Sequence, residues 1–290
     1  MFVSKATELI HICESNNITI AEYTLREEIE NTGVSREELI EKMGKNLEVM
    51  MNSSKEAMER EVYSISGLIG GEAIKIKKYY ENNATLCGDF MGMAMARALS
   101  CSEVNAAMGK IVAAPTAGSC GIIPASIITA GEKLNKSREE MIMALYAASG
   151  VGVLIAKNAT LAGAEGGCQA ECGSAAAMAS AAVVEMMGGS VSMAFQAAAM
   201  VIKNIEGLVC DPIAGLVEIP CAKRNIAGAI SALTMADIAM AGVESKIPFD
   251  DTIISMYKIG KALPSELRET AMGGLATTPA GIRLRDKILK

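Results

Sequence analysis

Aromatic side chains are scarce in this sequence, and tryptophan is absent. Phe and Tyr make up 3% of the 290 residues, whereas 51% of the residues are hydrophobic and 27 are glycine. Small side chains let helices approach closely, and a β-sandwich would require more aromatic and β-branched residues. The composition therefore predicts an all-α fold, a compact helical domain rich in Ala, Gly and Met.

Clustered positive charge is also missing. The net charge is −6 at pH 7, and a nucleic-acid-binding surface would require grouped Lys and Arg. Residues 1–80 are rich in Glu and Lys, and residues 85–245 contain few charges. This distribution predicts a solvated N-terminal helical region followed by a buried body, and it argues against nucleic acid as a partner.

No secretory signal is visible at the start of the sequence. The first residues, Met-Phe-Val-Ser-Lys-Ala-Thr-Glu, lack an apolar segment of the required length. We therefore expect a cytoplasmic protein, in which the eight cysteines form no structural disulfides. Metal ligands, buried small hydrophobic residues and reactive thiols remain as their possible roles.

One apolar stretch requires a membrane test. Between Ser174 and Ile202 the only charged residue is Glu185. Most of the other residues are Ala, Gly, Ser and Met, which insert weakly into lipid, and a central carboxylate opposes insertion. A buried helix pair with a break at Gly188-Gly189 is therefore favoured over a membrane span.

Capping signals and hydrophobic spacing predict helices along most of the chain. Ser/Thr-x-x-Glu patterns occur at Thr19–Glu22, Ser35–Glu38 and Ser137–Glu140, where each predicts a helix start. Asn31-Thr32-Gly33 predicts a helix end. We find no alternating strand pattern and no fixed-period repeat.

Four glycine-rich turns interrupt the predicted helices. They lie at residues 66–71, 113–124, 163–168 and 207–221. Glycine permits close backbone approach and exposes N–H groups, so these turns predict either the surroundings of a small ligand or simple tight connections. The pattern alone does not decide between the two.

The cysteines divide by their sequence context. No Cys-x-x-Cys pair occurs, which excludes zinc-ribbon and ferredoxin spacings. Cys168, Cys210 and Cys221 each lie at a turn that contains Gly or Pro, and not inside an Ala-rich helix. From spacing alone, a three-thiolate site and buried structural cysteines both remain open.

Longer segments carry a resemblance to a known family. Gly-Ala-Glu-Gly-Gly-Cys-Gln-Ala-Glu (163–171), Cys-Asp-Pro-Ile-Ala-Gly-Leu-Val-Glu-Ile-Pro-Cys (210–221) and Lys-Arg-Asn (223–225) resemble the signature segments of the bacterial iron–sulfur L-serine dehydratases. In that family three cysteines hold a [4Fe–4S] cluster, with 41 residues between the first two and 10 between the last two. Cys168, Cys210 and Cys221 have this spacing, so the resemblance implies that they are the cluster ligands.

The resemblance covers roughly residues 50–277 and includes further segments. Residues 66–71, 114–119, 121–124 and 269–276 are similar to the family's alpha region. It implies an N-terminal helical segment, residues 1–50, and a catalytic domain, residues 51–290, whose glycine-rich loops converge on the cluster. Single-chain members carry an additional N-terminal beta domain with a Ser-Ser-His-Thr-type motif, which this sequence lacks, so a separate beta subunit is expected.

The resemblance also implies a mechanism. Three thiolates leave one of four irons without a protein ligand, and such an iron is a Lewis acid suited to removal of the serine hydroxyl. No cysteine follows Cys221, whereas some members have a terminal cysteine as the fourth ligand. The products would be pyruvate and ammonia, formed without pyridoxal phosphate.

Candidate residues for substrate contact are those of two turns: Ser66, Gly67, Thr116, Gly118 and Ser119. Their N–H groups and hydroxyls suit a carboxylate, although each residue could also serve only a turn or a cap.

Further polar residues lie near the cysteines in the sequence. Glu165, Asp211 and Glu218 flank the cysteines, and Lys223 and Arg224 either balance the charge of the cluster or are solvated. The general base is not identified. His11, the only histidine, lies outside the similar region, and the base could come from the beta chain.

Two other functions remain open at this point. The same cluster could act on L-cysteine or another β-substituted amino acid, because nothing in the sequence determines the leaving group. A non-catalytic, cluster-binding redox subunit would also contain three cysteines. A substrate panel and a one-electron titration distinguish these functions from a serine dehydratase.

Overall fold

The computed structural model describes residues 2–288, in which helices form all of the regular secondary structure. The α-helices are α1 (Ala6–Asn16), α2 (Ile20–Thr32), α3 (Arg36–Glu59), α4 (Glu72–Asn82), α5 (Gly88–Ala106), α6 (Ile122–Lys133), α7 (Arg138–Asn158), α8 (Gly163–Gly166), α9 (Ser174–Met186), α10 (Val191–Ile205), α11 (Cys221–Met240), α12 (Phe249–Ala262) and α13 (Pro279–Ile288). Within the described residues there is no β-strand, and two isolated bridges are present. The all-α prediction is confirmed.

Three helices begin at the predicted caps. The hydroxyls of Thr19, Ser35 and Ser137 accept hydrogen bonds from the backbone amides three residues later, at 3.1–3.2 Å. At Ser137 the bond is reciprocated, since the Ser137 amide donates to Glu140 at 2.8 Å. Helix α2 ends at Gly33, which has φ +69°, as the sequence predicts. Each cap satisfies an amide that would otherwise have no helical partner.

Helix α9 is the centre of the hydrophobic core. All of its residues except Glu185 are buried, and it packs against α6, α7, α10 and α11. Its run of Ala and Ser side chains permits this close packing on every side. The helix pair α9 and α10, with the break at Gly188-Gly189, is the buried arrangement that the sequence favours over a membrane span.

Helices α1 and α2 contribute to the same core. Leu9, Ile20 and Leu25 are fully buried in the large apolar cluster around α9. Glu185 of α9 also connects α9 to α2. Its two carboxylate oxygens accept hydrogen bonds from the amides of Ile20 and Ala21 at 2.7 and 3.2 Å. The division of the chain at residue 50 stays a prediction.

Helices α3, α4 and α5 pack around a second, smaller apolar cluster. Its members are Ala57, Met58, Val62, Ile69, Ala73, Tyr80, Ala96, Leu99 and Ala222. Ala222 lies on α11, so this cluster adjoins the helix that begins at Cys221. The cluster therefore connects α3–α5 to the part of the molecule that carries the cysteines.

One helix of the described residues, α7, is long and apolar enough to cross a membrane. Most of its apolar window is buried inside the molecule, where it packs against α2 and α9. A buried core helix passes the same test of length and hydropathy, so this finding is weak evidence for a span.

Three segments between the longer helices carry most of the predicted site, whereas Cys221 begins α11 and the Ser66–Gly67 turn lies between α3 and α4. We name the three segments the Thr116 loop (residues 113–121), the Cys168 turn (residues 159–173) and the Cys210 loop (residues 206–220). A fourth irregular segment, residues 263–278, contains two short 3₁₀ turns, Ser265–Leu267 and Gly274–Thr277. The predicted interruption of the helices at 207–221 is confirmed, whereas helix α13 has no counterpart in the sequence-based predictions.

Candidate functional site

Cys168 lies in a turn that is widened just before α9. Gln169–Gly173 forms a π-helical turn, and such turns are frequent at functional sites. The side chain of Gln169 is fully buried and donates to the carbonyls of Gly166 and Met256, both at 2.9 Å. Its Oε1 accepts a hydrogen bond from the Gly207 amide at 2.9 Å. Gln169 therefore holds the Cys168 turn against the start of the Cys210 loop.

Cys210 is fixed by its backbone. Its amide donates to the Leu267 carbonyl at 2.8 Å, and its carbonyl accepts from the Glu269 amide at 2.7 Å. These two bonds form the isolated parallel bridge between Cys210 and Arg268. The irregular segment 263–278, part of which resembles the family, thus supports the Cys210 loop. Cys221 is the first residue of α11.

The thiols of Cys168, Cys210 and Cys221 are buried and interact electrostatically with one another. Burial, followed by the negative charge of Cys168, raises the pKa of Cys210 above its ordinary value. The same two causes raise the pKa of Cys221 to about 12. Without a bound cation these two thiols are therefore protonated at neutral pH, and a metal would have to displace their protons.

Cys168 differs from the other two. Its Sγ lies 3.3 Å from the Sγ of Cys172. The hydrogen bond with Cys172 lowers the pKa of Cys168, burial opposes this effect, and the positive charge of Arg224 adds to it. The Cys168 thiol is thus the most readily ionised of the three. Cys172, four residues later and outside the family's pattern, is fully buried beside it.

Arg224 provides the positive charge of the site. It lies in the first turn of α11 and donates to the Val209 carbonyl and to the Asp211 carboxylate, both at 2.8 Å. Asp211, whose side chain is 3% exposed, also accepts a hydrogen bond from the Leu275 amide at 2.7 Å. The sequence left Arg224 either solvated or balancing charge, and the structure places it in a buried ion pair beside Cys168. Lys223 is exposed and pairs with Glu72.

Thr116 and Ser119 close the Thr116 loop through their hydroxyls. The two oxygens are 3.2 Å apart, and the Thr116 amide lies 3.4 Å from the Ser119 hydroxyl. This reciprocal cap determines the shape of a short 3₁₀ turn, Ala117–Ser119. Ser119 is fully buried, whereas Thr116 and Gly118 are half-buried. The hydroxyls therefore stabilise the loop itself, in addition to any role in binding.

Glu171 is a functional candidate that the sequence-based reasoning did not select. A Cβ added to Gly163 would lie 2.7 Å from its Oε2, and a Cβ added to Gly118 would lie 3.3 Å from it. The first of these positions would also be 3.3 Å from the Sγ of Cys210. Burial raises the pKa of Glu171, and hydrogen bonds from the Thr116 hydroxyl and the Gly163 amide oppose this effect. Its carboxylate thus lies between the Thr116 loop and the cysteines.

Ser66 is connected to the Cys210 loop by a side-chain hydrogen bond. Its hydroxyl donates to Oε2 of Glu218 at 2.6 Å and accepts from the Leu68 amide at 3.1 Å. The Gly67 amide donates to the Ser64 carbonyl at 3.0 Å, so it serves the turn. A cavity of about 680 Å³ lies beside Ser66 and Glu218 and is also lined by Ala117 of the Thr116 loop.

The remaining residues singled out by the sequence lie apart from this arrangement or are buried. Glu165 and His11 are exposed. All eight cysteines are free thiols, and among those outside the predicted site only Cys87 is exposed. Burial is the main cause that raises the pKa of Cys13 and of Cys101, to about 12 in each case. Cys13 and Cys101 thus occupy the interior as small, uncharged side chains.

In residues 2–288 no group of three or more His, Cys, Asp or Glu side chains is arranged to hold a single metal ion. The donor set at the Cys168 turn and the Cys210 loop consists of sulfur atoms. Thiolates are the ligands of iron–sulfur clusters, so the chemistry of these three residues fits such a group. The positive charge of Arg224 is of the sign that a set of thiolates requires.

Comparison with known proteins gives consistent matches along the chain. The family model described as serine dehydratase alpha chain matches residues 15–276. The L-serine dehydratase alpha chain of Peptoniphilus asaccharolyticus is 47% identical over 288 residues, which cover 99% of both chains. The probable L-serine dehydratase alpha chain of Bacillus subtilis is 47% identical, over 97% of this chain and 93% of that relative.

A third relative has a longer chain. The L-serine dehydratase TdcG of Escherichia coli is 34% identical over 283 residues, which cover 93% of this chain and 61% of the relative. The similarity therefore includes nearly all of this chain, and TdcG contains further sequence outside the matched region.

Proposed function

This chain belongs to the serine dehydratase alpha chain family, and we propose that it is the alpha subunit of an L-serine dehydratase. The enzyme removes water from L-serine, and the resulting enamine tautomerises and hydrolyses to pyruvate and ammonia. The observation that carries this proposal is the 47% identity to the L-serine dehydratase alpha chain of Peptoniphilus asaccharolyticus over 99% of both chains.

We propose further that Cys168, Cys210 and Cys221 hold a [4Fe–4S] cluster. The burial of the three thiols, their mutual electrostatic interaction and the adjacent Arg224 support this assignment. A four-iron cube is larger than a single ion, so its ligands stand farther apart than those of a mononuclear site. When bound, the cluster supplies an iron without a protein ligand, a Lewis acid that makes the β-hydroxyl a better leaving group.

The residues of the chain itself bind and orient the substrate in this proposal. Thr116, Gly118 and Ser119 offer N–H groups and hydroxyls to the serine carboxylate. Ser66 contributes its hydroxyl, which Glu218 orients through the 2.6 Å hydrogen bond, and Gly67 supplies the turn that presents Ser66. Arg224 offsets the negative charge of the thiolates, and after the hydrogen bond with Cys172 it is the next cause that lowers the pKa of Cys168.

We assign the proton abstraction to a separate beta chain. The names of two relatives specify an alpha chain, and the E. coli relative has 39% of its length outside the match to this chain. Ile65 and Met108, at the rim of the cavity beside Ser66, are 78% and 81% exposed, an apolar surface that a partner could cover.

The eight free thiols support a reducing cytoplasm as the location.

An anaerobic iron and sulfide determination tests the cluster and its ligands. Purified wild-type chain, after reconstitution, is compared with Cys210→Ser and with Cys13→Ser, which removes a buried cysteine elsewhere. We expect about four irons per chain in the wild type and in the control, as a [4Fe–4S] cluster requires, and most of the iron lost in Cys210→Ser. Serine dehydratase activity is then measured with the beta chain added. Wild-type protein that binds no iron would refute the assignment.

A further inference from the structure

The Thr116 loop is held from one side by Asn225. The Nδ2 of this residue donates to the Gly118 carbonyl at 2.7 Å, and its Oδ1 accepts from the Gly121 amide at 2.8 Å. Asn225 is 1% exposed, so these bonds are shielded from water and their loss would leave buried polar groups unsatisfied. A Cβ on Gly121 would lie 2.5 Å from the Ala98 carbonyl oxygen, so the loop backbone packs closely against α5 at this position.

Glu171 contacts the same loop from the other side. Its carboxylate interacts with the Thr116 hydroxyl and with the Gly163 amide. It fills the space next to two glycines, Gly118 and Gly163, from two different segments of the chain. A side chain in place of either hydrogen would displace the carboxylate, so the glycines and Glu171 form one packed unit.

Both of these side chains lie one helical turn after a candidate cysteine ligand. Asn225 is the fourth residue after Cys221, and its Nδ2 also donates to the Cys221 carbonyl at 2.9 Å. Glu171 is the third residue after Cys168, within the π-helical turn. The position of the Thr116 loop is therefore set by the two elements that carry the cysteines.

We propose that Asn225 and Glu171 are positioning residues that fix the Thr116 loop relative to Cys168 and Cys221. The inference rests on the proposed function, since it assumes that this loop binds the serine carboxylate. The internal bonds of the loop, between Thr116 and Ser119, determine its shape but not its placement. Placement decides whether the carboxylate can bind while the β-hydroxyl reaches the cysteine site.

Asn225→Asp is the first variant to test. Aspartate keeps the acceptor for the Gly121 amide but replaces the donor to the Gly118 carbonyl by a second acceptor, which repels that carbonyl. We expect KM for L-serine to rise about ten-fold, the effect of one buried hydrogen bond, while the iron content stays that of the wild type. The serine concentration that half-saturates the change in the visible spectrum of the cluster should rise by the same factor.

Asn105→Asp is the matched control. Asn105 donates to the Ala117 carbonyl of the same loop at 3.1 Å, but it does so from α5 and in an exposed position. The control therefore makes the same substitution against the same loop without involving a cysteine-bearing element. We expect KM to change by less than about two-fold, because an exposed hydrogen bond exchanges with water at little cost.

Glu171→Asp is a second variant, which covers the case that Asn225→Asp does not fold. The shorter side chain withdraws the carboxylate from the Thr116 hydroxyl. The control is Glu165→Asp, which makes the same substitution in the exposed part of the Cys168 turn. A rise in KM and in the half-saturating serine concentration, at unchanged iron content, supports the proposal. Unchanged values in the folded variants, or loss of iron together with activity, overturn it.

The proposed function fails separately. Wild-type chain that binds iron but shows no serine dehydratase activity with the beta chain refutes that function whatever the variants do. An active wild type whose variants keep the wild-type KM refutes only the positioning role. Hydrogen exchange of the Gly121 amide in the iron-free chain gives a further readout, since Asn225→Asp keeps its acceptor and should leave this amide protected.

Discussion

At the scale of single residues, the most consequential pair is Arg224 and Asp211. The guanidinium and the carboxylate are mostly buried, with side chains 15% and 3% exposed. Removing one partner of a buried ion pair leaves an uncompensated charge, which costs far more than the pair contributes relative to an apolar replacement. The two residues also join three segments of backbone, through Val209, Leu275 and the first turn of α11.

We predict that Arg224→Gln destabilises the iron-free chain by about 3 kcal/mol, because Asp211 then remains buried without its cation. Urea unfolding followed by circular dichroism measures the change. Lys246→Gln is the control, since Lys246 forms an ion pair with Glu244 in which both side chains are exposed, and such pairs contribute little. Equal urea midpoints for the two variants would contradict the prediction, because loss of the Arg224 charge would then cost no more than loss of an exposed one.

Individual residues show where sequence reasoning succeeded and where it could not. The resemblance to the serine dehydratases singled out three cysteines whose thiols are buried and interact electrostatically, and their role as ligands stays a prediction. Asn225 and Glu218, in contrast, act through partners 107 and 152 positions away. No local pattern encodes such contacts. A signal for Glu171 did exist, because it follows Cys168 by one turn and a carboxylate in that position faces the same way as the thiol.

At the scale of elements, the caps and the breaks followed from local chemistry. Ser137 with Glu140 and Gly33 require only their own neighbours, so the sequence is sufficient to predict them. Helix α13, Pro279–Ile288, was missed because its hydrophobic pattern is weak and because it follows an irregular segment. Only two of its apolar side chains, Leu284 and Ile288, are half-buried. Its helical state depends on tertiary contacts with the turns at 213–215 and 274–277.

The N-terminus of α4 contains an unusual element contact. Glu103 of α5 is fully buried and accepts hydrogen bonds from the amides of Glu72 and Ala73 at 2.6 and 3.2 Å. Burial raises its pKa to about 7, the amide bonds and Lys223 oppose the shift, and the charge of Glu72 adds to it. The carboxylate thus caps a helix that begins directly after the Ser66–Gly71 turn.

This contact predicts a pH dependence of stability. The native state binds the Glu103 proton more tightly than the unfolded chain, whose ordinary value is 4.5, so the contribution to stability is present below that value and is lost as the pH rises through about 7. Relative to Glu103→Gln, the wild type should lose about 2 kcal/mol between pH 5 and pH 8. Urea unfolding across this range provides the measurement.

Glu41→Gln is the control for this experiment. A hydrogen bond from Lys45 lowers the pKa of Glu41, so its contribution is present at neutral pH and is lost only as the pH falls below the ordinary range of the group. Between pH 5 and pH 8 the difference in stability between the wild type and Glu41→Gln should therefore stay constant, whereas the difference between the wild type and Glu103→Gln should change. A constant difference between wild type and Glu103→Gln at all pH values would contradict the prediction.

At the scale of the whole molecule, the core and the candidate site are held by different interactions. Helices α7, α9 and α10 are buried in one large apolar cluster, and their backbone groups are satisfied within each helix. The Cys168 turn and the Cys210 loop depend on single hydrogen bonds to distant segments, such as those of Gln169 and of the Cys210 backbone. Local opening should therefore be easier at the site than in the core.

Removal of the proposed cluster should therefore loosen the site and leave the core intact. In the iron-free chain the three cysteines lack the cation that would connect them, and metal binding is coupled to the order of its ligand segments. We predict that hydrogen exchange in residues 163–173 and 206–224 speeds up by about ten-fold in the iron-free chain, which corresponds to about 1.4 kcal/mol of local stability. Exchange in α7 should not change.

Hydrogen exchange measured by mass spectrometry on reconstituted and on chelated protein compares both regions at once. Cys210→Ser is the control, because a chain without this proposed ligand should show no response to iron. Equal protection of the two segments in both states would show that the cysteine turns are ordered without a metal, and a uniform loss across α7 would show that the cluster supports the entire fold.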